Sequence, residues 1–267
     1  AVTLDGAPLD FSAHAGLDIL TAEDGANTAY ALLNVDGRSG LYTIDLASGA
    51  ATLVGEFDGG LGTLSGLAVQ GTKGWALGTD GTSLVSFDLA TPGTATTTAL
   101  GGDGTRLDAI DVRPATGEVF GYDDDGDRYF TLDPASGALA AASTEASPTS
   151  TRSLDIDWNP TIDRMRTVSE ADENIVYNPE TGTASNAATV PLFYDEPTSS
   201  PAVVANAYTN SVAGATTTTQ YVLDHQTNAL ATLANNAGTL TTVAAVTLDG
   251  APLDFSADAG LDILTAE

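Results

Sequence analysis

Short runs of alternating apolar and polar residues recur along the chain, and each run ends in a turn rich in Asp, Ser, Thr and Gly. Alternation with a period of two, with β-branched and aromatic residues, is typical of half-buried β-strands. In the turns, an Asp or Asn side chain caps the backbone and Gly or Asn adopts positive φ. The runs are LYTI, LVSF, RYFTL, NIVY and QYVL, and the turns after them span residues 45–50, 88–95, 133–138, 178–184 and 224–229.

Two further signals precede the turns and define a repeating unit. Asp-Gly pairs within residues 35–37, 79–81 and 124–126 predict tight hairpins. Apolar strands with a polar centre begin further upstream, at residues 16, 65, 107, 154 and 203. Four strands per unit, repeated every 43 to 46 residues, predict an all-β, five-bladed β-propeller with four-stranded antiparallel blades. A six-bladed ring, with a degenerate blade in residues 187–201, is the alternative count, and a β-sandwich is the alternative architecture.

Four segments of the chain also resemble a known family. They are IDVRPATGEVFGY (110–122), DIDWNPTIDRMRTVSE (155–170), VVANAYTNS (203–211) and NAGTLTTV (236–243). These segments are similar to the secreted family called domain of unknown function 4394, in a register shifted so that the family's usual start falls near Gly74. The resemblance implies a propeller-like fold and secretion. It implies no catalytic residues.

The two ends of the chain carry nearly the same 23-residue segment. Residues 1–23 and 245–267 agree at 22 of 23 positions, and only His14 against Asp258 differs. The segment contains GLDIL, the first strand of the first unit, and a closed ring has one place for that strand. Three interpretations stay open: a slice of a tandem array with a 244-residue period, strand exchange between separate chains, or an engineered duplication.

The duplication divides the chain into three parts and suggests a structural role. We expect a connecting segment at 1–14, one propeller at 15–244, and a linking segment at 245–267. A contact between unlike ends that does not close generates an open fibre. The sequence therefore predicts a structural subunit of an extracellular filament or matrix, joined head-to-tail to identical copies. The expected interface residues are the apolar ones of both copies: Val2, Leu4, Leu9, Phe11, Leu17, Ile19, Val246, Leu248, Leu253, Phe255, Leu261 and Ile263.

Composition and charge narrow the range of partners and compartments. The 267 residues include 36 Asp and Glu against 8 Lys and Arg, for a net charge of −28. Such a surface disfavours nucleic acid and anionic membranes as partners and attracts divalent cations. The chain has no cysteine, which excludes disulfides and thiol chemistry. We expect an extracellular protein with no membrane insertion, for which polysaccharide is a further candidate partner.

One set of polar residues on the predicted first strands is a candidate metal site. Carboxylates that converge on a propeller channel repel each other unless a cation lies among them, and Ca²⁺ prefers six to eight oxygen ligands. The alternative is that these groups accept hydrogen bonds from neighbouring backbone amides. The candidate ligands, at what we interpret as matching positions, are Asp18, Asp111, Asp157 and Asn206.

Other candidate chemistry is weaker. DDDGD at 123–127 lacks the Gly and Glu positions of an EF-hand loop and is interpreted as an acidic turn. His225 is expected at the surface, and His14 is not expected to be a metal ligand because Asp258 replaces it in the duplicate. Trp158 is expected in the core, and Arg164 and Arg166 beside carboxylates on a strand face. We expect no catalytic residues, no required cofactor and no enzyme activity. The alternative function is a secreted propeller that binds or cleaves carbohydrate, since 36 acids provide many carboxylate pairs.

Overall fold

A computed structural model describes most of the chain between residues 51 and 245. The described stretches there are 51–57, 60–144, 154–186, 191–195, 200–224, 226–227 and 229–245. Nearer the ends it describes strands only, at 3–4, 7–8, 16–21, 27–35, 38–44, 247–248 and 251–252. Within these residues the regular secondary structure is β-strand, apart from one short 3₁₀ helix at Pro92–Thr94. No helix in the described part is long and apolar enough to cross a membrane.

A small hairpin and the first two sheets occupy the first part of the chain. The hairpin consists of β1 (Thr3–Leu4) and β2 (Ala7–Pro8). Sheet I consists of β3 (Gly16–Thr21), β4 (Asn27–Val35), β5 (Arg38–Ile44) and β6 (Ala51–Glu56). Sheet II consists of β7 (Leu64–Gln70), β8 (Lys73–Gly78), β9 (Ser83–Asp88) and β10 (Thr96–Ala99).

Three more sheets and a second hairpin follow. Sheet III contains β11 (Gly101–Gly102), β12 (Ala109–Val112), β13 (Val119–Asp123), β14 (Arg128–Asp133) and β15 (Ala138–Ala141). Sheet IV contains β16 (Leu154–Asn159), β17 (Arg164–Ser169), β18 (Asn174–Asn178) and β19 (Thr183–Asn186). Sheet V contains β20 (Phe193–Tyr194), β21 (Val203–Tyr208), β22 (Gln220–Asp224), β23 (Ala229–Ala234) and β24 (Thr239–Ala245). The second hairpin is β25 (Thr247–Leu248) with β26 (Ala251–Pro252).

Each of the five sheets contains the four-stranded antiparallel meander that the repeat predicts. The first strands of successive sheets lie side by side, because β3 contacts β7, β7 contacts β12, β12 contacts β16, and β16 contacts β21. A first strand therefore has a sheet on either side, and every residue of β12 is buried. Residues 187–201 contribute β20 to sheet V, and their described part forms no sixth sheet.

Apolar clusters fill the junctions between successive sheets. Leu32 of sheet I packs with Leu67 of sheet II, and Leu84 of sheet II belongs to one cluster with Ile110 of sheet III. Phe120 of sheet III packs edge to face on Trp158 of sheet IV, with ring centroids 4.9 Å apart. The fourth cluster joins sheets IV and V. Among the described residues, no cluster and no comparable strand contact joins sheet V to sheet I.

The predicted turns are confirmed where the structure describes them, with one exception. Asp88, Asp133 and Asn178 each accept the N–H of the residue two positions on, at 3.0 Å, and each begins the turn between a third and a fourth strand. The turn at 224–229 has the same cap at its first residue but joins the second strand of sheet V to the third. Five equivalent turns in the repeat imply a third-to-fourth turn here as well, and this is wrong. The long loop 209–219 between β21 and β22 shifts the later strands of sheet V along the sequence, and the same cap occurs in any hairpin.

A chain segment that links two sheets lies against the sheet that it leads into. It contacts either the fourth strand of that sheet or the turn between its third and fourth strands. β11, between sheets II and III, pairs in parallel with β15, and β20 pairs in parallel with β24. Each segment also donates an N–H to the glycine carbonyl of the next third-to-fourth turn. These hydrogen bonds run from Gly101 to Gly137 (3.0 Å), from Thr144 to Gly182 (2.7 Å) and from Phe193 to Gly238 (3.0 Å). Ahead of sheet I, β1 pairs with β2 and contacts β6.

We expect Gly137→Ala to destabilise the fold through this docking contact. Gly137 has φ of +71°, and a Cβ there would lie 2.3 Å from the carbonyl oxygen of Ala99 in the preceding sheet. Left-handed backbone and a backbone clash together should cost about 1–3 kcal/mol of unfolding free energy, measured by urea denaturation. Gly101→Ala is the matched control, because a Cβ on Gly101 meets nothing within 4 Å. Equal midpoints for the two variants would contradict the expectation.

Candidate functional site

Carboxylates on the first strands of the sheets bridge successive sheets. Asp111 of β12 accepts the N–H of Trp158 in β16 at 3.1 Å through one oxygen and the N–H of Val112 at 2.6 Å through the other. In sheet IV, Asp155 accepts the N–H of Asn206 at 3.0 Å, and Asp157 accepts the N–H of Tyr208 at 2.8 Å. These contacts match the backbone-amide alternative stated for the candidate ligands. Calcium binding by Asp111 and Asp157 stays a prediction.

Two of these carboxylates also contact each other. Asp111 is fully buried and hydrogen bonds to the Asp157 carboxylate. Burial is the largest cause that raises the pKa of Asp111 to about 8, and the negative charge of Asp155 adds to it. At neutral pH Asp111 is therefore mostly protonated, which reduces the repulsion between the two acidic residues between sheets III and IV.

Asn206 does not share the position of Asp111 and Asp157. It lies opposite Val222, on the face of sheet V that packs against sheet IV, and its Oδ1 accepts from Gln220 Nε2 at 2.9 Å. Because Asp157 bridges to residue 208 as Asp111 bridges to residue 158, the residue equivalent to Asp157 in β21 is Ala207. The predicted match is wrong by one residue, next to the register shift between Val203 and Ala205.

The remaining predicted residues are placed as follows. Asp18 is in β3 opposite Tyr30, and its side chain lies outside the described residues, as do His14, His225 and most of the expected interface. Residues 123–127 form the turn between β13 and β14, with Arg106 paired to Asp108 and Asp125. No group of three or more metal-ligating His, Cys, Asp or Glu side chains occurs among the described residues.

A buried arginine holds sheets IV and V together through neutral groups. Arg166 of β17 is 2% exposed, and its Nε donates to the Tyr208 hydroxyl at 3.2 Å. One terminal nitrogen donates to Asn174 Oδ1 at 2.6 Å and to the Asn235 carbonyl at 3.1 Å. The other donates to the side-chain oxygens of Asn235 and Asn236 at 3.3 and 3.4 Å. As the sequence predicted, a carboxylate lies beside Arg166, since Asp157 is opposite it in β16. The five hydrogen bonds of the guanidinium all go to uncharged oxygens.

Tyr208 extends this network toward the inner strand of sheet V. Burial raises the pKa of Tyr208 to about 12, so its hydroxyl stays protonated and donates to Gln220 Oε1 at 2.9 Å. Gln220 in turn donates to Asn206, whose Nδ2 is buried with no hydrogen-bond acceptor. The network joins β17, β21, β22 and the turn after β23. Its contacts stabilise the junction between sheets IV and V.

The duplicated segments fold alike where both are described. In β1–β2, Thr3 lies opposite Pro8 and Leu4 opposite Ala7. In β25–β26, Thr247 lies opposite Pro252 and Leu248 opposite Ala251. The first copy continues into β3, which pairs with β4 from Gly16↔Leu32 to Thr21↔Asn27. The second copy begins at Ala245, the last residue of β24 in sheet V.

The repeated sheets and the quoted segments agree with a family assignment. A family model described as Domain of unknown function (DUF4394) matches residues 2–68 and 83–267. The chain belongs to this family. The predicted resemblance is therefore confirmed for the DUF4394 family, and secretion stays a prediction. No curated protein matches the chain.

Solved structures similar to the DUF4394 chain are β-propeller-like. A structural genomics protein of unknown function from Bacteroides thetaiotaomicron superposes with a TM-score of 0.63 at 15% identity, over 97% of this chain and 65% of its own. A nidogen/laminin complex gives a TM-score of 0.58 at 13% identity, over 85% and 78%. An auxiliary nutrient binding protein from B. thetaiotaomicron gives 0.58 at 12% identity, over 88% and 57%. The chain thus spans about two thirds of the length of the first of these proteins. At such identities the likeness shows a β-propeller-like fold alone.

Proposed function

We propose that this protein is a non-enzymatic structural subunit whose copies join head-to-tail into an extracellular filament. In this proposal the five sheets are the blades of one five-bladed ring. The duplicated terminal segment is the connector between rings. Divalent cations bridge the acidic surfaces of adjoining rings, consistent with the net charge of −28.

The observation that carries the proposal is the duplication of a segment that the fold uses once. Residues 1–23 and 245–267 are identical at 22 of 23 positions, and their described hairpins have the same register. The first copy supplies β3, which already lies beside β4. A second strand of the same sequence has no second place of that kind in sheet I.

The position of the two copies makes the contact head-to-tail. One copy leads into sheet I, and the other leaves sheet V at the opposite end of the series of sheets. A contact between two different surfaces does not close on itself as a two-fold dimer does, and it generates a ring or an open fibre. The exposed carbonyl and amide groups of a strand edge provide the pairing.

The proposal predicts that the two copies tolerate the same substitution differently. Ile263→Lys in the second copy should abolish polymers, because a lysine at an apolar strand position disfavours pairing with the next chain. Ile19→Lys is the matched change in the first copy, and polymers should persist because a neighbour's intact second copy can take that place. Sedimentation velocity and electron microscopy of the full chain measure both. An unaltered chain that stays a monodisperse monomer at high concentration contradicts the proposal.

A further inference from the structure

Docking of a chain segment onto the fourth strand of the sheet that it enters recurs at sheets I, III and V. β11 enters sheet III and pairs with its outer strand β15, while β20 enters sheet V and pairs with β24. The hairpin β1–β2 enters sheet I, and β1 contacts its outer strand β6. In each case a segment that comes before a first strand lies against the fourth strand of the same sheet.

The segment after β24 has the sequence of a segment that enters sheet I. Residues 245–252 repeat residues 1–8, and β25–β26 repeats the pairing of β1–β2. It leads to residues 260–265, whose sequence GLDILT is that of β3. If the second copy docks as the first copy does, residues 245–252 lie against the strand β6 of some copy of the chain. Residues 260–265 then lie beside the strand β4 of that copy.

The junction where this segment belongs lies between sheets V and I, whose described residues share no apolar cluster; the side chains of β3 lie outside the described residues. Four apolar clusters join sheets I to II, II to III, III to IV and IV to V, and none among the described residues joins V to I. Carboxylates bridge sheet III to IV and IV to V. The positions in β21 that correspond to Asp155 and Asp157 hold Ala205 and Ala207, which cannot bridge to a following sheet.

The outer strand of sheet I also presents apolar side chains to solvent. Leu53 and Val54 of β6 are 40% and 36% exposed. They are two of the few large apolar residues exposed in the described part of the chain. Hairpin β1–β2 of the same chain contacts β6, and in an exchange residues 245–252, which repeat its sequence, take its place on this strand.

We propose that the acceptor surface of the filament is sheet I of a second copy of this chain. Residues 260–265 of one copy pair with β4 of the next in the register of β3, and hairpin β25–β26 lies against its β6. Since the two strands have one sequence, the exchange conserves the number of paired strands, as in domain swapping. This inference rests on the proposed head-to-tail assembly and specifies where and in which register it occurs.

The absence of cysteine from the chain allows a direct test by disulfide trapping. Leu17 lies opposite Ala31 in the β3–β4 pair, so the register places Leu261 of a neighbour opposite Ala31. Residues directly opposite in antiparallel strands have Cα atoms about 4.5–5.5 Å apart, which a disulfide spans. The full chain carrying Ala31→Cys and Leu261→Cys is refolded at high concentration, oxidised, and resolved on a non-reducing gel.

We expect a ladder of disulfide-linked dimers, trimers and longer species. Ala31→Cys with Leu17→Cys is the positive control for bond formation in one chain, and Ala90→Cys with Leu261→Cys, at an exposed turn of sheet II, controls for random collision. A 31–261 bond inside single chains overturns the inference. Filaments without the 31–261 bond overturn this acceptor surface but leave the proposed function standing. Monomers without the bond overturn both.

Discussion

Replacing Arg166 with Met should destabilise the protein by about 3–5 kcal/mol, the largest loss that we expect from one substitution on the surface between sheets IV and V. The guanidinium is 2% exposed and makes hydrogen bonds with Tyr208, Asn174, Asn235 and Asn236. Met fills much of the volume but donates nothing. The Tyr208 hydroxyl and Asn174 Oδ1 are buried and lose the donor that Arg166 supplies, and each such group costs about 1–3 kcal/mol before relaxation. Asn236 is exposed, and the Asn235 carbonyl keeps Asn174 Nδ2 as a donor.

The measurement is urea unfolding of the full chain under conditions in which it is monomeric, followed by tryptophan fluorescence. Arg128→Met in β14 is the matched control, since Arg128 is exposed and its replacement should change the unfolding free energy by less than about 0.5 kcal/mol. A loss below about 1 kcal/mol for Arg166→Met would mean that the buried amide network contributes little. Trp158 is buried between sheets III and IV and reports on the neighbouring junction.

Local chemistry explains why the sheets could be predicted from the sequence. An Asp or Asn at the start of a turn caps the N–H two residues on, whichever hairpin it belongs to, so Asp88, Asp133 and Asn178 marked real turns. The same generality produced the error at residues 224–229. The cap at Asp224 indicates a turn but contains no information about which two strands the turn joins.

The junctions between sheets could not be predicted to the same extent. The face on which a strand residue lies changes with a one-residue offset, so Asn206 was grouped with Asp157 although it faces the other way. The partners of Arg166 include Asn235, 69 residues away, and no local pattern indicates such a contact. The backbone-amide alternative for Asp111 and Asp157 followed from strand packing alone, whereas the raised pKa of Asp111 depends on the burial that only the folded structure shows.

The second large effect concerns pH, and Asp111 is its source. Burial raises the pKa of Asp111 from 3.8 to about 8 in the folded protein. Between these values the folded state keeps a proton that the unfolded chain has released. The free energy of unfolding therefore decreases as pH rises through this range, and the contribution of Asp111 is lost above about pH 8. We expect the urea midpoint to fall from pH 5 to pH 8 and then to level off.

Asp111→Asn separates this effect from the general repulsion within a chain of charge −28. The amide is uncharged like the protonated acid, and its oxygen still accepts the N–H of Trp158, while its nitrogen takes the place of the oxygen that accepts the N–H of Val112. The variant should keep the fold of the parent protein, although its urea midpoint at pH 5 can differ from that of the parent. Its midpoint should depend much less on pH between 5 and 8. Asp133→Asn is the control, since the Asp133 carboxylate is exposed and the Ser136 hydroxyl lowers its pKa.

The pH curve of the control should run parallel to that of the parent over this range, because Asp133 is ionised in both folded and unfolded chains above pH 5. Parallel curves for the parent and Asp111→Asn would instead mean that the Asp111–Asp157 pair holds no extra proton. The bridges from sheet III to IV and from IV to V would then carry full negative charge at neutral pH. In that case a bound cation becomes the better account of how Asp111, Asp155 and Asp157 lie together, and calcium added at pH 7 should raise the melting temperature.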